Sequence, residues 1–168
     1  AQTGSVTVTV RPLPTVAISG TTNICANGSA TVTFTGTPNA IVTYTVNGGA
    51  NQTINLNGAG TATITNTFAT TTVYTLVSVV TSGLPACSQP QTGSATITVI
   101  PPPTATIAAN NTICSGSSAM VTFTGTPNAT VTYNTNGGAS QTIVLNASGT
   151  ATITNTYTTT TVFNLVNV

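Results

Sequence analysis

Laid over itself at an offset of 89 residues, the chain matches without a gap: residues 12–79 against 101–168 are identical at 44 of 68 positions. Cys25 falls on Cys114, Phe34 on Phe123, Tyr44 on Tyr133 and Asn47 on Asn136. A period this long repeats a whole domain, because solenoid units recur every 20 to 50 residues or so. Whatever one copy folds into, the other must fold into as well.

The repeat also sets the domain boundaries. Residues 12–100 form one complete unit, and residues 101–168 form a second that lacks the counterparts of 80–99, its last strand and second cysteine included. "TGSVTVTV" at residues 3–10 matches "TGSATITV" at 92–99, so residues 1–11 read as the last strand of a preceding unit plus a linker. "RPLP" and "IPPP" are short, stiff joints. A second reading of residues 3–10 follows from the same match: they supply the missing strand to a neighbouring subunit. The expected source is a longer tandem array.

Within a unit, alternation of Val, Ile and aromatic residues with Thr is the pattern of half-buried strands. It predicts strands at 15–19, 30–35, 41–46, 52–56, 60–66, 72–80 and 94–99. About seven short strands at this spacing indicate an all-β sandwich. The inward faces are Val16 and Ile18, Val32 and Phe34, Val42 and Tyr44, Ile54 and Leu56, Ala62 and Ile64, Tyr74 and Leu76, and Ile97 and Val99. "NGG" at 47–49 and 136–138 tolerates positive φ and predicts a hairpin. "GTPN" at 36–39 predicts the turn between the second and third strands.

Charge narrows the function. The chain has no Asp, Glu, His or Lys, and Arg11 is its one charged side chain. Nucleic-acid binding needs several cations on phosphates, and attraction to an anionic membrane needs a basic cluster. No apolar run approaches the roughly 18 residues of a membrane span. General acid–base catalysis and metal ligation need side chains that are largely missing here, so neither enzyme activity nor a cofactor is expected. The Ser and Thr hydroxyls have no base to activate them.

Cys25 precedes the second predicted strand and Cys87 lies in the loop before the last. If both loops reach one end of the sandwich, a Cys25–Cys87 disulfide stabilises by roughly 4 kcal/mol and implies an oxidising, extracellular compartment. The partner of Cys114 then lies beyond the excerpt. Three weaker features are Thr rows, which could order water as an ice-binding face, a Tyr44–Tyr74 sugar platform, and N-x-Ser/Thr sequons at Asn27, Asn51, Asn110, Asn128 and Asn146. The inward parity of both tyrosines favours core packing. The two copies diverge most at 19–23 and 26–28 against 108–112 and 115–117. Thr21, Thr22, Asn23, Asn110, Asn111 and Thr112 are therefore the candidate ligand-loop residues.

"VTFTGTPNATVTY", "NGGASQTIVLN", "GTATIT" and "ACSQPQTGSATITV" together resemble the immunoglobulin-like repeats of large secreted flavobacterial surface proteins, including gliding-motility adhesins. The resemblance implies tandem immunoglobulin-like sandwiches, export by the type IX secretion route and a place on the bacterial cell surface. The expected function is a structural segment of a cell-surface fibre or adhesin stalk, each unit adding roughly 35 to 45 Å. Its partners are neighbouring repeats and other copies, since a net charge near zero and sheet edges without Lys favour self-association into filaments. The alternative is a glycan- or surface-binding module acting through its loops.

Overall fold

The computed structural model describes residues 3–109 and 112–168, and every regular element in it is a strand. The chain divides into two compact units, Ala1–Pro101 and Pro102–Val168.

The first unit contains β1 (Val16–Ser19), β2 (Thr22–Cys25), β3 (Gly28–Gly36), β4 (Ile41–Val46), β5 (Gln52–Asn55), β6 (Thr61–Phe68), β7 (Thr72–Val80), β8 (Ser88–Pro90) and β9 (Ser94–Ile100). One sheet has the order β1-β3-β6, and the other the order β2-β9-β7-β4-β5 with β8 beside β7. The two sheets bury one core. Phe34 of β3 meets Tyr44 of β4 with ring centroids 5.2 Å apart, and Val32, Val42, Val79, Ala95 and Ile97 surround them with no exposed surface. First, second and fifth long strands in one sheet, with last, penultimate and third in the other, follow the immunoglobulin-like plan.

All seven expected strands are present, and every residue assigned to an inward face belongs to this core or packs against it. One parity change was hidden by the continuous apolar run at the end of β7. Tyr44 pairs with Leu76 but Thr43 pairs with Ser78, so Val77 is the extra residue of a bulge. Beyond it the inward parity moves to Val79 while Val77 turns outward.

Two short strands, β2 and β8, were not expected. β2 arises where the chain leaves one sheet for the other. After β1 pairs with β3, Gly20 takes φ 113° and the chain crosses to run parallel to β9, with Thr22 opposite Ile97 and Cys25 opposite Ile100. A Cβ at Gly20 would lie 2.4 Å from the Thr31 carbonyl oxygen, so no other residue fits that crossing.

The second unit contains β10 (Ala105–Ala109), β11 (Ser117–Gly125), β12 (Thr130–Thr135), β13 (Gln141–Val144), β14 (Thr150–Tyr157) and β15 (Phe163–Asn167). They form two three-stranded sheets, β10-β11-β14 and β13-β12-β15. Val121 opposes Ile153, as Val32 opposes Ile64 in the first unit. Phe123 meets Tyr133 with centroids 5.0 Å apart.

Both predicted turns form. Asn47 (φ 51°) and Gly48 (φ 69°) are both left-handed, and the Gly49 amide donates to the Val46 carbonyl at 2.9 Å. This is the type I′ geometry that suits the twist of a hairpin. In the "GTPN" turn, Pro38 sits at the second position, Asn39 takes φ 58° at the third, and the Ala40 amide donates to the Thr37 carbonyl at 3.2 Å. That is the pattern of a type II turn.

Residues 3–10 form no strand. Val6, Val8 and Val10 are 92%, 83% and 85% exposed.

Candidate functional site

The cysteines correct the disulfide expectation. Cys25, Cys87 and Cys114 are all free. Because β2 runs parallel to β9, Cys25 comes level with Ile100, at the finishing end of β9. Cys87 immediately precedes β8, whose Ser88 pairs with Val80 at the far end of β7, while Thr72 at the near end of β7 faces Ile97. At about 3.3 Å per strand residue, the two cysteines are more than about 20 Å apart along the sheet, against the roughly 7 Å limit between bridged Cα atoms. The sequence reading took the two loops to reach one end, and the parallel β2 puts them at opposite ends. The Cys87 amide instead donates to Thr81 Oγ1 at 2.9 Å, and its carbonyl accepts from the Thr81 amide at 3.0 Å.

The candidate ligand-loop residues of the first unit lie at the edge of the β2–β9 pairing. Thr22 and Asn23 belong to β2, and Thr21 Oγ1 accepts a hydrogen bond from the Thr96 amide at 3.1 Å. These residues therefore hold β9 in place. In the second unit, Asn110 and Asn111 lie outside the described residues, and Thr112 lines a groove. No sugar platform forms, because Tyr44 and Tyr74 are buried, 6.0 Å apart, within the core. Tyr44 donates to Gln52 Oε1 at 3.1 Å. Burial, with the neighbouring Tyr74, raises its pKa above the usual tyrosine value.

The Thr rows are regular. Thr31 opposes Thr65, Thr33 opposes Thr63 and Thr35 opposes Thr61. The Thr31 and Thr65 hydroxyls bond each other at 2.8 Å, so that pair satisfies itself across the strands. Among the described residues, no three metal-ligating side chains gather, and no helix is long and apolar enough to cross a membrane.

The second unit also carries a groove among its described residues. It has a volume of about 380 Å³ and lies in the second unit, lined by Ala109, Ile113, Cys114, Val121, Tyr157 and Phe163 among others. At the same place in the first unit, β9 lies between β7 and β2. The second unit has no strand there, and the effect on its neighbours is graded. Leu76 is 4% exposed, whereas its counterpart Leu165 is 38% exposed. β7 begins at Thr72, but β15 begins only at Phe163, two residues later in the repeat. Residues 112–114 are not a strand, whereas their counterparts in β2 are, with β9 as their sole strand partner.

One polar group in this region lacks a partner. The Tyr157 hydroxyl is buried without a hydrogen bond, the only such side-chain atom among the described residues. An unsatisfied buried hydroxyl costs about 1–3 kcal/mol. Its counterpart, Phe68, has no such group to satisfy. Sequence reasoning did not find the groove, whose lining residues come from stretches that are separate in the sequence.

No family model matches the chain, and no curated protein matches it. Among solved structures, one described as "Marsupial T cell receptor" is similar at a TM-score of 0.44 and 15% identity. The alignment covers 80% of this chain and 55% of that one, so the chain spans just over half the length of that structure.

Proposed function

We propose that the chain is a structural segment of an extracellular bacterial cell-surface fibre or adhesin stalk, built from tandem immunoglobulin-like units with an 89-residue period. The observation that carries this reading is the near-identity of two sandwich cores on a framework almost devoid of charge. The Phe34–Tyr44 and Phe123–Tyr133 contacts agree within 0.2 Å (5.2 against 5.0 Å), and Asn47 and Asn136 share a φ of 51°. Repetition of cores and turns alike is what an extending scaffold requires, whereas a recognition module varies its loops.

The chemistry of the surface agrees with that role. With Arg11 as the one charged side chain, little in the fold titrates or is screened by salt. Placement outside a bacterial cell rests on the resemblance to secreted flavobacterial surface repeats. The divergent segment at 21–23, the leading candidate for ligand contact, is engaged in holding β9, which favours scaffold over binding module.

Electron cryomicroscopy of the native cell-surface material tests the reading. Continuous fibres whose axial repeat is a whole number of units are expected. Dispersed particles without axial order would overturn it.

A further inference from the structure

We infer that Asn27, followed by Gly28 in the turn between β2 and β3, is a self-modification site at which the folded chain converts an asparagine to aspartate or isoaspartate. The site stands independently of the fibre reading.

The chemistry needs no reactant but water. The Gly28 amide nitrogen attacks Cγ of Asn27, the Cγ–Nδ2 bond breaks, and Nδ2 leaves as ammonia with the proton given up by the amide. Water then opens the cyclic imide at one of its two carbonyls. One opening leaves a carboxylate on the side chain, and the other routes the main chain through Cγ as isoaspartate. No electrons are exchanged. Asparagine is thermolabile by this route, and a following glycine favours it because no Cβ crowds the attacking nitrogen.

Four asparagines precede a glycine: Asn27, Asn47, Asn57 and Asn136. All four are exposed, so access to water does not sort them. Restraint does, because the carboxamide must leave its partners and swing onto the next main-chain nitrogen. Asn47 Oδ1 accepts from the Val73 amide at 2.8 Å, and Asn136 Oδ1 accepts from the Val162 amide at 2.7 Å. Asn57 is held more fully. Its Oδ1 accepts from the Ala59 and Thr61 amides, both at 2.9 Å, and its Nδ2 donates to Thr61 Oγ1 at 2.9 Å. Asn27 is fixed by its main chain alone: its amide donates to the Phe68 carbonyl at 2.8 Å, and its carboxamide has no hydrogen-bond partner among the described residues. Having to open one such bond first slows ring closure by roughly ten-fold. The second unit has no equivalent site, since Gly116 stands in the place of Asn27.

The products differ from the parent in charge and in backbone. The chain has no Asp or Glu, so the new carboxylate is its one acidic side chain and takes the formal net charge from +1 to zero. Aspartate tolerates the left-handed φ of 63° at this position. Isoaspartate adds a methylene to the main chain just before Gly28, where β3 begins opposite Phe68. The isoaspartate form therefore loosens the start of β3, and the aspartate form keeps it.

Timed peptide mapping of the native chain in mildly alkaline buffer tests the assignment. Asn27 should convert roughly ten-fold faster, or more, than Asn47, Asn57 and Asn136. Unfolding in denaturant should bring the four to within a few-fold of one another. Equal rates in the native chain would overturn the inference, as would a lead at Asn27 that survives unfolding undiminished, since the fold would then have no part in it.

Asn27→Gly gives a second measurement. Glycine suits this turn, because Gly116 takes φ 81° at the equivalent position. Isoelectric focusing of the ageing native chain should resolve one early acidic species, and the variant should lack it. Persistence of that species in Asn27→Gly on the same timescale would place the reaction elsewhere and overturn the assignment.

Discussion

Asn47 and Val73 exchange two hydrogen bonds: the Asn47 amide donates to the Val73 carbonyl at 2.8 Å, and the Val73 amide donates to Asn47 Oδ1 at 2.8 Å. Asn136 and Val162 repeat the arrangement at 2.8 and 2.7 Å. The turn that closes the β4–β5 hairpin is thereby tied to the start of β7. Asn47→Ala removes the acceptor and places an alanine at φ 51°, which should cost about 1–3 kcal/mol from the lost bond and the left-handed backbone. Asn47→Gly keeps the backbone and loses the bond alone, so its cost should be smaller. Denaturant midpoints of the three chains check the order.

Gly20 controls β2. Gly20→Ala brings a Cβ to 2.4 Å from the Thr31 carbonyl oxygen, at φ 113°. The expected result is a loss of about 2 kcal/mol or more from strain and local rearrangement. Amide exchange should accelerate first at Thr22–Cys25, ahead of β3 and β7. A uniform acceleration over the unit would contradict the assignment of Gly20 as the crossing point.

Stability should be flat between about pH 3.5 and 8, because no carboxylate or imidazole side chain changes protonation on folding. Above that range Tyr44 enters. Its folded pKa is raised by burial, so the unfolded chain loses the proton first. The native state then binds more protons, and stability declines as pH rises above about 10, the unfolded tyrosine value. Tyr44→Phe should flatten this decline, which thermal melts across the range will show.

Free cysteines predict indifference to reductant. Melting with and without a thiol reductant should coincide, and alkylation of the native chain should label Cys25 and Cys114, both exposed, faster than the half-buried Cys87. A reductant-dependent drop in Tm would restore the disulfide. No stability from loop closure is expected, so Cys25→Ser should be nearly neutral.

Long strands and turns were legible because each carried its own local signal. Val32 and Phe34 alternate with Thr, and Asn47–Gly48 admits few backbone geometries other than the one seen. β2 was not legible for the opposite reason. "TNIC" has no alternation worth the name, and it becomes a strand only because β9, more than 70 residues later, runs alongside it. The disulfide error came from the same source, since the position of Cys25 depends on that parallel pairing. The bulge at Val77 was masked by "LVSVV", in which either parity is apolar. The groove and the orphan Tyr157 hydroxyl were not legible, because their surroundings come from stretches of the second unit that are separate in the sequence.

The dependence of β2 on β9 also gives the first unit an order of closing. A chain that emerges amino-end first from a ribosome presents β1 through β7 before residues 94–100 appear. Until then the unit holds most of its core but has an open seam, and residues 22–25 have no strand beside them. Arrival of β9 fills the seam and draws in β2 together, so the final step joins the first and last parts of the unit like a zip-fastener. Once closed, the unit cannot reopen at this seam without giving up both strands at once.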